Sequence, residues 1–85
     1  MRALFVGGLV DNSELDLDAV RPPAHYPENG GAGRPRYRLS RIGRTSDAIA
    51  YAVYAAPDLA QDEVERIAGE RDYARRFEAE ETSAQ

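Results

Sequence analysis

The chain has no cysteine, no lysine and no tryptophan, and it has a single histidine. The absence of cysteine excludes disulfide bonds, thiol catalysis and cysteine-based metal sites. The histidine, His25, lies in a proline-rich stretch and has no second histidine with which to share a metal ion or activate a nucleophile. We therefore expect no metal site and no cofactor.

Long apolar runs are also missing. No segment approaches the roughly 20 apolar residues that a membrane span needs. The apolar run after Met1 and Arg2 is short and ends at Gly7 and Gly8, which does not match a signal peptide. The sequence therefore predicts a soluble, cytoplasmic protein that does not bind membranes.

The sequence shows no pattern of catalytic residues. General acid–base catalysis needs carboxylates in a cleft whose environments separate their pKa values. The acidic residues here alternate along strands or line the outside of a helix, as solvated charges do. We expect a protein that is not an enzyme and that has no small-molecule substrate.

Charge is unevenly distributed over the 85 residues, which are enough for one small domain. Residues 1–33 carry a net charge of −3, residues 34–57 carry +4 and residues 58–85 carry −5. A basic middle between two acidic segments predicts either neutralisation on folding or two opposed charged surfaces.

Two strands are predicted in the first quarter of the chain. Residues 3–6 form a short apolar segment that ends at the glycine pair. Residues 14–20 alternate, with Leu15, Leu17 and Ala19 on one face and acidic residues on the other. Turn-forming residues separate the two segments, so we expect a hairpin.

A long flexible loop is predicted over residues 21–35. The stretch contains four prolines and three glycines and has almost nothing to bury. Residues 28–33 are expected to be the mobile part.

A second hairpin is predicted from residues 36–54. The third strand covers residues 36–42, and a shift in its apolar phase indicates a bulge near Ser40 and Arg41. The fourth strand covers residues 48–54, where alternation places Ile49, Tyr51 and Val53 on one face. Both faces of this strand look covered.

A C-terminal helix is predicted to begin after Pro57, with Asp58 as its N-cap, and to reach about Ala79. The apolar stripe through Val64 and Ile67 predicts packing on the sheet. Tyr73 and Phe77 lie more than 90° around the helix from that stripe. A straight helix would therefore expose them, whereas a bend at Gly69 would bury them.

These elements predict an α+β fold, a four-stranded antiparallel sheet of two hairpins with the helix packed on one face. The covered face is expected to carry the strand residues Leu15, Leu17, Leu39, Ile49 and Val53. The single domain is expected to span residues 1–79, with residues 80–85 as a disordered tail.

The opening Phe5-Val6-Gly7-Gly8, followed by Asp11-Asn12 and the strand residues Tyr37-Arg38-Leu39, resembles a class of small phage and prophage proteins. Those proteins open with a strand ending in Val-Gly-Gly, continue through a proline-rich loop and a hairpin, and end in a short helix. The resemblance covers most of the chain to Ile67. It implies a mobile-element origin and an accessory protein that binds and inhibits a host protein complex, in the manner of anti-CRISPR and other anti-defence proteins.

The first functional hypothesis is a protein-binding surface on the helix. Acidic residues and an exposed aromatic pair would contact a host complex, which could itself be nucleic-acid-handling, or a second copy of the chain as a homodimer. The predicted partner-binding residues are Asp62, Glu63, Glu65, Glu70, Asp72, Tyr73 and Phe77.

The alternative is a nucleic-acid-binding module on the arginine-rich third strand. Its predicted contact residues are Arg34, Arg36, Arg38, Arg41 and Arg44. Against it, the net charge of the chain is −4, whereas nucleic-acid binders are usually basic. We also expect the face of Arg36 and Arg38 to pair with the acidic face of Glu14, Asp16 and Asp18 if the second and third strands are neighbours.

Overall fold

The computed structural model describes residues 1–27 and 36–84. In them the chain forms an α+β domain of six strands, one helix of ten residues and one of four. In chain order the elements are β1 (Arg2–Val6), β2 (Glu14–Asp16), β3 (His25–Tyr26), β4 (Tyr37–Arg44), β5 (Ile49–Ala55), α1 (Gln61–Glu70), α2 (Tyr73–Arg76) and β6 (Glu80–Ser83).

The strands form one mixed sheet in the order β2-β1-β5-β4-β3, and β6 also pairs with β4. The prediction of a four-stranded antiparallel sheet is therefore wrong in strand number and in pairing. Its two hairpins are present, β1–β2 and β4–β5, each antiparallel. They are joined through a parallel pair, β1–β5, in which Arg2 lies opposite Tyr51 and Val6 opposite Ala55.

The predicted bulge in β4 is confirmed. The register of β4 against β5 shifts between Leu39 and Arg41, so Ser40 has no partner in the ladder. Ser40 is fully buried, and its hydroxyl lies 3.4 Å from Oε1 of Gln61. The extra residue restores the apolar phase and directs Ile42 into the core.

One face of the sheet is covered by the helices, as the apolar stripe of α1 predicts. Val64 is fully buried and Ala68 nearly so, and Ile67 packs beside them. The sheet contributes Leu4, Val6, Tyr51, Val53 and Ala55 to this cluster. All five sheet residues lie on the parallel pair β1–β5, so the helix lies over the centre of the sheet.

The opposite face carries a second core, built around Phe5, Ala52 and Tyr54. The prediction that α1 covers Leu15, Leu17, Leu39 and Ile49 is wrong. The last three side chains pack in this second cluster, and Leu15 lies on the same side, opposite Ala3, with 39% exposure. Both faces of β5 are buried, as its alternation indicated. Tyr54 can be buried because its hydroxyl donates a hydrogen bond to the carbonyl of Pro23 at 2.8 Å.

The helical region is shorter and more broken than predicted. The N-cap of α1 is Ala60 rather than Asp58, and α1 ends at Glu70. The break lies at Asp72, which adopts the left-handed conformation with φ of 61°. Aspartate is one of the few non-glycine residues that tolerates this region. Gly69 remains inside α1, and the chain does not bend there.

The prediction of a disordered tail fails at residues 80–83, which form β6 and pair with residues 41–44 of β4. Two side-chain hydrogen bonds to Glu81 hold β6 against the rest of the sheet. The Tyr51 hydroxyl donates to Oε1 of Glu81 at 2.6 Å, and Nε of Arg41 donates to Oε2 at 2.5 Å. Burial and this carboxylate raise the pKa of Tyr51, which keeps its hydroxyl protonated.

Within the predicted loop of residues 21–35, His25 and Tyr26 form β3 and pair with Arg38 and Tyr37. The predicted mobile residues 28–33 lie outside the described part of the chain. No helix in the described ranges is long and apolar enough to cross a membrane.

Candidate functional site

The loop between β1 and β2, residues 7–13, carries the most exposed large apolar side chain of the described ranges. Leu9 is 105% exposed and Val10 is 42% exposed. The loop leaves β1 through Gly7 and Gly8, both with positive φ. A Cβ on Gly8 would lie 2.4 Å from the Tyr37 hydroxyl oxygen, so only glycine fits there.

Tyr37 holds the loop from the side of β4. Its hydroxyl donates to the carbonyl of Gly7 at 2.7 Å and accepts from the N–H of Val10 at 3.2 Å. These two bonds bracket Leu9 and fix the backbone on both sides of it. The exposed leucine is therefore displayed by an ordered loop.

Asp11 and Arg71 hold the loop from the side of the helices. Nη2 of Arg71 donates to both carboxylate oxygens of Asp11, at 2.8 and 2.9 Å. The N–H of Gly7 also donates to Asp11, at 2.7 Å. The hydrogen bonds from Arg71 and Gly7 lower the pKa of Asp11, because they favour its ionised form. Nη1 of Arg71 donates to the Phe5 carbonyl and the Tyr73 hydroxyl, which anchors the guanidinium.

An open groove of about 460 Å³ lies beside this loop. Its floor is aromatic. The centroid of the Phe5 ring lies 5.4 Å from that of Tyr26 and 5.3 Å from that of Tyr37. Leu9, Val10 and Leu15 line its rim. We call these three rim residues with the aromatic floor the loop site. It has the apolar centre and tyrosine content that are typical of protein-binding surfaces.

The acidic residues predicted to bind a partner lie on the outside of α1 and just after it. Asp62, Glu63, Glu65 and Glu70 are exposed, as is Asp72. Some of this charge is already paired, since Glu70 accepts from Arg66 at 2.8 Å and Glu65 lies 3.9 Å from Arg41. The face is a solvated acidic surface and does not form a cleft.

The aromatic pair does not form the exposed surface that a straight helix would give. Tyr73 is 1% exposed, and its ring lies 6.1 Å from that of Tyr51. Phe77 is half-buried, with its ring 5.0 Å from Tyr51. The left-handed turn at Asp72 redirects the chain and brings both rings into the helix-side core. The expectation that both rings are exposed is therefore wrong.

The arginine-rich strand does not present a continuous basic stripe. Arg38 donates to the carbonyl of Leu59, and Arg41 is engaged by Glu81 and Glu65. Arg36 and Arg44 are exposed, and Arg34 lies outside the described residues. Two of the predicted contact residues therefore serve the fold.

The pairing of Arg36 and Arg38 with the acidic second strand required the two strands to be neighbours, and this condition is not met, because β1 and β5 lie between β2 and β4. Other arginines contact the acidic residues of β2. Asp16 lies 3.1 Å from Arg2, and Glu14 accepts from Arg76 at 2.9 Å.

The described ranges contain no group of three or more metal-ligating side chains. Comparison of the chain with protein-family models, with curated proteins and with solved structures finds no match in any of the three.

The sequence contained a signal for the loop site that periodicity does not detect. Leu9 and Val10 stand between a glycine pair and the turn residues Asp11 and Asn12. Apolar residues in such a turn are unusual, because turns are dominated by glycine, proline and small polar residues. Their exposure depends on Tyr37 and Arg71, which are distant in sequence.

Proposed function

We propose that the protein is a non-enzymatic accessory protein that binds a partner protein through the loop site. The observation that carries the proposal is the full exposure of Leu9 on a loop held by Tyr37 and Arg71. A fixed loop loses little conformational entropy on binding, so burial of its apolar side chain adds to affinity with little cost. A leucine beside an aromatic groove can serve as a central anchor.

The acidic surface supports a second contact region. Asp62 and Glu63 are exposed in the first turn of α1, and Glu70 and Asp72 lie near its end. Charged residues at the rim of an interface chiefly raise the association rate and select partners of opposite charge. A partner with a basic surface fits this side of the molecule, and Tyr73 has no direct part in the contact.

The partner is proposed to be a host protein complex in the host cytoplasm, and binding is proposed to inhibit it, in the manner of anti-CRISPR proteins. Support for this part is the resemblance of Phe5-Val6-Gly7-Gly8 and the following strands to small phage proteins. It is tested by expressing the chain in bacteria with an active CRISPR system and measuring phage plating. Equal plating with and without the chain contradicts inhibition of that system.

Binding is tested by affinity capture from host lysate with three forms of the chain. Leu9→Asp places a charge at the loop tip, whereas Val20→Asp places the same charge at a different residue that is 91% exposed. We expect a partner that the wild type and Val20→Asp retain and that Leu9→Asp loses at least tenfold. Equal capture by Leu9→Asp and the wild type contradicts a role for the loop site.

The acidic surface is tested in parallel with Asp62→Arg/Glu63→Arg, for which Asp47→Arg/Glu80→Arg is the matched control. All four side chains are exposed. We expect the helix variant to slow association with the captured partner and to weaken its salt dependence. If only the helix variant abolishes binding and Leu9→Asp does not, the acidic surface is the principal site.

A further inference from the structure

β2 forms one edge of the sheet. Within residues 1–27 and 36–84, β1 is its only strand neighbour. All three residues of β2 are exposed. An edge strand presents a row of backbone donors and acceptors that another extended chain can use.

The hydrogen bonds on either side of β2 show which residues present those groups. The N–H of Phe5 donates to the carbonyl of Ser13, and the N–H of Leu17 donates to the carbonyl of Met1. In an antiparallel ladder, alternate residues direct their backbone groups to the same neighbour. Ser13, Leu15 and Leu17 therefore point towards β1, so the N–H and C=O groups of Glu14 and Asp16 point outward.

We propose that this edge accepts an extended segment of the partner as an added strand, with basic residues on the helix side and apolar residues on the groove side. The inference rests on the proposed function and states how the partner binds. Glu14 and Asp16 lie opposite Leu4 and Arg2 and so share the helix side of the sheet. Leu15 lies on the other side, where it lines the groove of the loop site.

The chemistry of the edge selects a different protein over a second copy of this chain. Two β2 strands paired edge to edge would use the outward groups of Glu14 and Asp16 in both copies. Residues directly opposite share one face, so carboxylates would face carboxylates, which is destabilising. Arginine or lysine on the added strand would instead meet Asp16, whose side chain is 79% exposed beside Arg2. Glu14 contributes less, because its side chain is 30% exposed and already paired with Arg76.

The first test uses a fluorescent nine-residue peptide that alternates valine and arginine. In an added strand that runs antiparallel to β2, arginines opposite Glu14 and Asp16 direct their own N–H groups towards β2, since the two residues of a hydrogen-bonded pair exchange both bonds. N-methylation of the arginine residues is therefore expected to abolish binding. N-methylation of the valine residues removes donors from the far edge and is expected to leave binding within about threefold. Replacing arginine by glutamate is expected to abolish binding.

The second test changes the protein. Asp16→Pro removes the outward N–H without touching the bonds between β2 and β1, and proline is tolerated on edge strands in that orientation. Asp16→Ala is the matched control, because it loses the carboxylate and keeps the N–H. We expect Asp16→Pro to bind the peptide at least tenfold more weakly than Asp16→Ala, with both variants showing the same fold by NMR.

Three results would overturn the inference: no binding of the unmethylated peptide at about 1 mM, equal binding of the two methylated peptides, or equal binding of the two Asp16 variants. If Asp16→Pro does not fold, the methylated peptides decide alone. The proposed function fails separately. If Leu9→Asp loses the partner but the peptide tests fail, the loop site binds the partner and the added strand is wrong.

Discussion

Arg71 and Asp11, sixty residues apart in sequence, are joined by two hydrogen bonds of 2.8 and 2.9 Å. The pair connects the end of α1 to the loop that displays Leu9. The same guanidinium reaches the Phe5 carbonyl and the Tyr73 hydroxyl, so one side chain links β1, the loop and the helix-side core.

Replacing Arg71 by alanine is expected to free the loop and to destabilise the domain by about 1–3 kcal/mol, because several acceptors lose a charged donor at once. Amide exchange in residues 7–13 should rise more than in β5, as measured by NMR. Arg75→Ala is the control, since that side chain is 86% exposed and lies 3.9 Å from Asp72. Equal exchange in the two variants would show that Arg71 does not order the loop.

The contribution of Asp11 to stability should depend on pH. Its pKa is lowered in the folded state by the hydrogen bonds from Arg71 and Gly7. The stabilisation is therefore complete above the unfolded pKa of about 4 and disappears as the pH falls through the lower folded value. The Asp11 side chain is 44% exposed, so the effect should stay below about 1 kcal/mol.

Urea unfolding of the wild type and Asp11→Asn at pH 6 and pH 2 measures this difference. We expect the wild type to be more stable at pH 6 and its advantage to be smaller at pH 2, because protonation of Asp11 removes the stabilisation. Asp47→Asn, at an exposed turn, serves as the control. A difference that grows towards low pH would contradict the assignment.

Two glycines should respond to alanine with opposite signs. At Gly43 a Cβ would lie 2.1 Å from Cε2 of the buried Tyr51 ring, and Tyr51 is held by Glu81. Gly43→Ala should therefore destabilise by about 1–3 kcal/mol. Gly69 lies in α1 with nothing within 4 Å of the added methyl group. Gly69→Ala should stabilise by about 0.5–1 kcal/mol, and thermal unfolding of both variants measures the contrast.

Tyr73→Ala is expected to destabilise the domain by about 3–5 kcal/mol, as removal of a buried aromatic ring does. Tyr73→Phe loses only the contact with Arg71 and should cost about 0.5–1.5 kcal/mol. Light scattering should give the same mass for the wild type and Tyr73→Phe. A Tyr73→Ala variant with unchanged stability and a halved mass would instead support a homodimer through this ring.

Local patterns predicted several elements well. The strands at β1, β4 and β5, the bulge at Ser40 and the packing of Val64 all follow from periodicity, which reports whether a side chain faces a core. The two hairpins follow from short connections. Each of these features is determined by residues close together in sequence.

The remaining features depend on contacts between distant residues. Nothing in the local pattern of β1 indicates a parallel pairing with β5. Nothing in the sequence of Glu80–Ser83 indicates a strand either, because the contacts of Glu81 with Tyr51 and Arg41 join distant parts of the chain. Tyr73 is buried because Asp72 adopts the left-handed backbone conformation, which periodicity does not indicate. The loop site was missed because Leu9 lies in a turn, where periodicity carries no information.

The parallel pairing of β1 with β5 also bears on how fast the protein reaches its native state. Arg2 meets Tyr51 about fifty residues along the chain, whereas each hairpin closes through a much shorter connection. Closing the long segment lowers the entropy of the chain before the central contacts form and compensate for that loss. We expect the hairpins to form as early units and their side-by-side docking, with α1 laid across the join, to be the slow step in refolding.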